Sequence, residues 1–170
     1  MTAAHFATAL AIKSRVPRVS AAALIAAAFV PDFLWIVLGT AHIERTQRDV
    51  YFDDWSHSLV MVALYAAVAT AAFWRRGRDV ALAMGLAVLS HFVLDFPVHT
   101  RDLALYPQAA IHLGIGLSQI DPMSYWFFEF GIVVAVLVLY AARARRLAAT
   151  RHVFASCVLV LGWHIMLMPG

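Results

Sequence analysis

The run from His91 to Asp102 places four side chains able to ligate a metal, His91, Asp95, His99 and Asp102, at the end of a segment otherwise apolar enough to span a bilayer. Lipid packing favours none of them, and an ionisable residue at membrane depth usually faces a bundle interior or a wet cavity. On a helix, His91 and Asp95 stand at i and i+4 and project from one face, so the pair can chelate one ion. Pro97 ends or bends that helix, which lets His99 and Asp102 fold back over the mouth of the site. A second element, Asp53-Asp54-Trp55-Ser56-His57-Ser58, supplies His57 with hydroxyls and carboxylates nearby. Asp53 or Asp54 could accept the second N–H of a ligating imidazole, and Ser56 could cap the helix that starts there. With Cys157 the single cysteine, an intramolecular disulfide and a Cys-rich zinc site are excluded, so any metal must be held by His and carboxylates.

The elements that position these groups follow from composition. Of 170 residues 63% are hydrophobic and 14% charged, with a mean hydropathy of +0.78, far more apolar than an ordinary soluble domain. This predicts an all-α integral membrane protein, a single polytopic helix bundle over residues 1–170. Apolar runs at 19–39, 58–74, 80–96, 124–142 and 153–168 give about five spans. The last is short, about 24 Å of helix against a hydrocarbon core of about 30 Å. Lys13, Arg15 and Arg18, then Arg75, Arg76 and Arg78, then Arg143, Arg145, Arg146 and Arg151 fall at one set of span ends; Arg45, Arg48 and Arg101 fall at the other. That bias, about ten to three, predicts a cytoplasmic N-terminus and an external C-terminus. The net charge of +3 thus reports topology, and no nucleic-acid partner is expected, because the basic residues sit in short clusters between apolar runs. Met1 to Ile12 is apolar but too short to cross, and Lys13 to Arg18 reads as a turn, so a half-length helix folded back as a hairpin is expected. The rival is a signal segment cleaved near Ala26-Ala27-Ala28, whose short apolar region would run directly into Pro31-Asp32.

Depth ties the polar residues together. Climbing at 1.5 Å per residue from the arginine clusters puts Asp32 about 21 Å up, His91 about 20 Å, Asp95 about 26 Å, Glu129 about 21 Å and His57 about 27 Å. Residues from separate spans share one slab in the outer half, as a common site would require. His5 reaches it only if the N-terminal segment folds back. His42, His112 and His152 read as solvated loop or interface residues, and His164 as a lone imidazole hydrogen-bonded to a neighbour. Asp121-Pro122 reads as N-cap and first helical residue of the fourth span, and Tyr125 to Phe128 as an interfacial aromatic belt.

A leading His, Pro-Asp at the end of the first long span, Ser-His-Ser opening the next and Ser-His-x3-Asp further on together resemble the YdjM-like family of small bacterial inner-membrane proteins, described as LexA-regulated metal-dependent hydrolases. The matching motifs are scattered over about Ala4 to Glu129. The run from His91 to Asp102, followed by Leu103 to Pro107 and Gly114-Ile115-Gly116-Leu117, is similar to one subgroup. The resemblance implies that His5, Asp32, His57, His91 and Asp95 are metal-site positions, joined in the subgroup by His99, Asp102 and Glu129. It also implies a bacterial inner-membrane location. Ser118 in place of an aromatic and Trp55 before Ser-His-Ser depart from the pattern, which points to different substrate contacts.

Several His with carboxylates suit zinc or another divalent transition metal, since Mg²⁺ prefers an all-oxygen shell. His57, His91 and Asp95 are expected to form the core ligand set, with Asp32, His99, Asp102 and, if the hairpin forms, His5 completing a first or second ion. Glu129 is the expected general base, and Asp102 is grouped with it as a catalytic carboxylate. The expected activity is hydrolysis of an ester or phosphoester, lipid-linked or soluble, reached from the outer face, with membrane lipids as surroundings. The alternative is a non-enzymatic conduit for metal ions or protons, for which intramembrane His and acids are equally apt. A third reading is a bundle merely locked by its polar residues.

Overall fold

The computed structural model describes residues 1–47, 50–144 and 150–169, so Arg48, Arg145 and Arg146, used above for topology, lie outside the described residues. The chain is mostly helical: α1 (Thr2–Arg15), α2 (Ala21–Ala28), α3 (Val30–Thr40), α4 (Asp54–His57), α5 (Leu59–Phe73), α6 (Arg78–Asp95), α7 (Pro122–Ala144) and α8 (Thr150–Met166). Two small antiparallel hairpins that hydropathy gave no hint of sit in the polar loops. In one, β1 (Arg45–Gln47) pairs with β2 (Val50–Phe52); in the other, β3 (Leu103–Ala104) pairs with β4 (His112–Leu113).

The 14-residue α1 turns back at Val16 and lies against α2, so the N-terminal segment re-enters the bundle. Ser20 caps α2, its Oγ accepting the Ala23 N–H at 3.1 Å. Pro31, which lacks an N–H and crowds the preceding turn, then breaks the first long apolar run, and α2 and α3 meet at 52°. The break leaves Ala28 as the last residue of α2, with a carbonyl free for a partner outside the helix.

Two cores flank α1. On one side Ala9 joins Leu24, Val62, Ala66, Val80, Met84 and Val88 from α2, α5 and α6. Gly85 lets α5 and α6 approach closely, since a Cβ there would lie 2.0 Å from Thr70 Oγ1. On the other side Ala3, Ala4, Ala7 and Leu10 join Val133, Leu137 and Tyr140 of α7 and Val153 and Val160 of α8. Large apolar side chains cover the outside, among them Val37, Val68, Leu86, Val138, Leu139 and Phe154, as a lipid-facing bundle requires and a water-soluble one avoids. Leu59–Arg76 and Pro122–Ala144 are long and apolar enough to cross a membrane, and the bent pair α2 and α3 together would make a third span. The helix Arg151–Met166 is apolar but shorter, and α6 carries Arg78, Asp79 and Asp95 at its ends.

The loop after α6 is tied down by its own backbone. Ile115, Leu117 and Ser118 donate N–H groups to the carbonyls of Phe96, Pro97 and Val98, and Gly116 donates to that of His99 at 2.7 Å. Gly114 has φ of 136°, and a Cβ there would fall 2.0 Å from the Thr100 carbonyl oxygen, so the Gly114-Ile115-Gly116 turn closes over residues 96–100 only without side chains at its glycines. Two further latches hold this loop to α4 and the start of α5: Val60 N–H donates to Leu105 O at 3.1 Å, and Gln108 N–H donates to Asp54 Oδ2 at 2.7 Å. Asp121 Oδ1 accepts from the amides of Met123 and Ser124, capping α7 ahead of Pro122.

Candidate metal centre

His5 from α1, Asp32 from the first turn of α3, His57 from α4, and His91 and Asp95 from the end of α6 meet around one cavity of about 210 Å³, which Asp53 and His99 also line. His91 Nε2 lies 3.0 Å from Asp95 Oδ2 and 3.7 Å from Asp32 Oδ1; His57 Nε2 lies 3.4 Å from the same Asp32 oxygen, and His5 Nε2 lies 3.7 Å from Asp95 Oδ1. His99 Nε2 stands 4.0 Å from Asp95 Oδ2. Two triads offer ligand atoms within 4.8 Å of one another: His5, His91 and Asp95, and Asp32, His57 and His91.

Each imidazole turns its Nδ1 outward onto the protein and its Nε2 inward. His91 Nδ1 donates to Ala28 O at 2.8 Å, the carbonyl freed by the break ahead of Pro31, and His5 Nδ1 donates to Met1 O. His57 Nδ1 meets Ser56 Oγ at 2.7 Å, and the Ser56 hydroxyl, which has one hydrogen to give, faces Glu44 Oε2 at 2.8 Å. The carboxylate takes that hydrogen, so Ser56 Oγ accepts from His57. In each case Nδ1 carries the proton and the lone pair of Nε2 points into the cavity, the arrangement found behind ligating histidines. His5 Nε2 and His91 Nε2 are buried and make no well-directed hydrogen bond, although Asp95 Oδ1 stands 3.7 Å from the first and Asp95 Oδ2 3.0 Å from the second. Imidazole nitrogens orphaned in this way are rare in folded proteins unless an ion or water completes them.

Glu44 escaped the sequence reading. It is 1% exposed and also accepts the Ser56 N–H at 2.8 Å, yet nothing in its spacing from Ser56 marks it. Ser56 is accordingly part of the support behind His57 rather than a helix cap, and Asp53 occupies the N-cap position of α4. Asp53 Oδ2 lies 3.9 Å from His57 Nδ1, on the cavity wall, whereas Asp54 is taken by the latch to Gln108. Burial pushes the Asp53 carboxyl up to about 6, against the pull of His57 and His99. His99 Nδ1 lies 3.3 Å from Asp102 Oδ1. Burial would depress the His99 imidazole, but the close carboxylate of Asp102 and the charge of Asp95 hold it above its ordinary value. Asp102 is held below the usual carboxylate range, burial being outweighed by His99. It therefore stands behind His99, outside the cavity lining.

Glu129 is buried but is not part of the cavity wall. Its Oε1 accepts the N–H groups of Ala3 and Ala4 at 2.9 and 3.2 Å, and its Oε2 faces His164 Nδ1 at 3.8 Å. The general-base role expected of Glu129 finds no geometric support, because helix rise fixes height but not the direction a side chain takes around the axis. His164, set aside in the sequence as a lone imidazole, is its neighbour; shared depth on the last two spans was the available signal. His42, His112 and His152 are exposed.

Neutral imidazoles with Nε2 free and two carboxylates within ligand distance form a donor set suited to zinc or a similar divalent transition ion. Because Nδ1 of His91 is engaged, His91 can serve one ion only. Asp95, with Oδ1 toward His5 and Oδ2 toward His91, is the group able to reach two. No protein-family model, curated protein or solved structure matches the chain.

Proposed function

We propose that this chain is a membrane-embedded hydrolase dependent on a divalent metal, most simply zinc, acting on an ester or phosphoester in the outer half of a bacterial inner membrane. The observation that carries the proposal is the convergence of the buried Nε2 atoms of His5 and His91, neither in a well-directed hydrogen bond, on a cavity shared with His57, Asp32 and Asp95. A divalent ion bound there would supply Lewis acidity, polarising a substrate oxygen and making water a nucleophile near neutral pH. His57, His91 and Asp95 are its core ligands, with Asp32, His5 and His99 able to complete one ion or two. Asp53, with its raised pKa and its place on the cavity wall, is the carboxylate suited to take a proton from water. Ala28, Ser56 with Glu44, and Asp102 hold the imidazoles in their working tautomers.

Asp32 has a side chain 42% exposed, so the cavity opens at α3. That helix presents Phe33, Ile36 and Val37 outward. A lipid-linked substrate approaching through the outer leaflet suits such an opening. The orientation follows from the basic span ends: N-terminus cytoplasmic, C-terminus outside, with α6 and α8 crossing alongside the more apolar helices to make about five spans. The conduit reading is disfavoured by what lies below the cluster. Among the described residues, Leu24, Val62, Ala66, Val80, Met84 and Val88 build the core between the cluster and the basic end, and the polar side chains of Thr70 and of the buried Ser14 there bond back to Ala66 O and Ala11 O.

Elemental analysis of purified protein tests the reading: wild type carries stoichiometric zinc, and His91→Ala and Asp95→Ala do not. Equal metal in all three removes the ligand assignment. Zinc entry into proteoliposomes without cleavage of ester or phosphoester probes would transfer the site to the conduit reading.

A further inference from the structure

Glu129 lies where α1, α7 and α8 meet, beside the cavity rather than on it. The first turn of α1 has no side-chain cap of its own, and its Ala3 and Ala4 are fully buried, so their N–H groups cannot turn to solvent. Both are taken by Glu129 Oε1. A carboxylate suits that place, meeting orphan donors and the positive end of the helix dipole together. The other oxygen is flanked by Tyr125 Oη at 3.5 Å and His164 Nδ1 at 3.8 Å. His164 is itself fixed by a reciprocal pair with Trp126: Trp126 Nε1–H donates to His164 O at 3.0 Å, His164 Nε2 meets Trp126 O at 3.2 Å, and the rings stack.

The residue after Ala4 is His5, whose Nε2 is one of the two buried cavity nitrogens that make no well-directed hydrogen bond. Most of what α1 buries is alanine, and a methyl group does little to lock a helix along its axis or about it. The geometry points to Glu129, whose other oxygen is met by the Tyr125 hydroxyl, as a positioning residue for the metal centre: it pins the first turn of α1 and so sets where His5 Nε2 stands relative to Asp95. The inference rests on the metal reading given above.

A double-mutant cycle on the full chain separates the two. Zinc dissociation constants are measured by competition for wild type, Glu129→Ala, His5→Ala and the double variant, with Glu129→Gln as the conservative replacement. Glu129→Ala is expected to weaken zinc about 10–100-fold, the range for groups behind metal ligands. The double variant should be no weaker than His5→Ala alone, because both changes remove the same ligand. Glu129→Gln keeps an acceptor oxygen but no charge and should lose severalfold. The Co²⁺ absorption spectrum of Glu129→Ala should match that of His5→Ala. Losses that add, or a wild-type affinity in Glu129→Ala, overturn the positioning role and leave the centre standing. If Glu129→Ala fails to fold, a wild-type affinity in Glu129→Gln overturns it equally. A wild type that binds no zinc overturns both.

Discussion

The molecule buries imidazoles against carboxylates in two places, and they differ in which atoms are left over. Around His91, every Nδ1 is occupied by the protein and the Nε2 atoms converge on open volume. Around His164, Nε2 is spent on the Trp126 carbonyl, the ring is stacked against Trp126 and Phe130, Glu129 is committed to two backbone amides, and the nitrogen left over, Nδ1, makes no hydrogen bond but faces Glu129 Oε2 at 3.8 Å. The two regions are comparable in burial and in residue type. What separates a candidate reaction centre from a structural joint is therefore unspent donor capacity facing a common space. Ionisable residues inside the membrane are a necessary signal for such a centre, not a sufficient one.

The sharpest way to break this contrast is to delete one imidazole from each region. His91→Ala should lower zinc affinity by well over about 100-fold, since ligand loss exceeds the cost of losing a supporting group. His164→Ala should leave zinc bound, with affinity reduced only as far as α1 shifts, while lowering thermal stability through the lost stack and the lost bond from Nε2 to Trp126 O; the bond from Trp126 Nε1–H to the carbonyl of residue 164 remains. Metal content and unfolding midpoints on the same preparations decide it. Comparable zinc loss in both variants would mean that the regions are one functional unit.

Helix positions and the cap at Asp121 were legible because each rests on local chemistry: hydropathy, and a short acceptor before a helix. The depth argument was equally local and brought His57, His91, Asp95 and Asp32 together correctly, with His5 following once α1 was seen to fold back. It failed for Glu129, because climbing a helix fixes height and leaves azimuth free. Azimuth depends on packing between helices, which a single sequence does not display. Glu44 was invisible for a related reason: it comes from the loop between α3 and β1 and reaches Ser56 through tertiary structure alone.

Ser56 sharpens the comparison from the supporting side. In Ser56→Ala, His57 Nδ1 loses its acceptor and Glu44 loses one of its two bonds from that residue, so the tautomer of His57 is no longer fixed. Zinc affinity is expected to fall about 10–100-fold, with His91 and Asp95 still in place. Glu44→Gln should fall in the same direction by less, because an amide oxygen still accepts the hydroxyl. A competition titration showing no change in Ser56→Ala would make this relay structural only.

The loop over the cavity tests whether His99 belongs to the first region at all. Gly114→Ala forces a side chain into the Thr100 carbonyl at a φ that L residues rarely adopt, and should cost about 1–3 kcal/mol of stability. If His99 is a ligand, zinc affinity should fall too, though far less than in His91→Ala, because the clasp and not the inner cluster is disturbed. Thermal denaturation with and without zinc separates the effects: a smaller zinc-induced rise in the midpoint assigns His99 to the centre, and an unchanged rise removes it.

The smallest expected effect is electrostatic. The raised pKa of His99 means that the folded, metal-free protein holds a proton there more tightly than the unfolded chain. That contribution is fully present below the ordinary His value and is lost as pH rises through the raised one. Asp102→Asn removes the main partner opposing the burial that depresses His99, so the variant should lose stability chiefly on the acid side of this window and approach wild type above it. The difference should stay under about 1 kcal/mol, as for other partly exposed ion pairs. Zinc competes with that proton, so if His99 is a ligand, binding by Asp102→Asn should persist to lower pH than in wild type, even if its affinity at high pH is weaker. Superimposable pH profiles would show that the His99–Asp102 pair, like Glu129 and His164, stands outside the ion's reach.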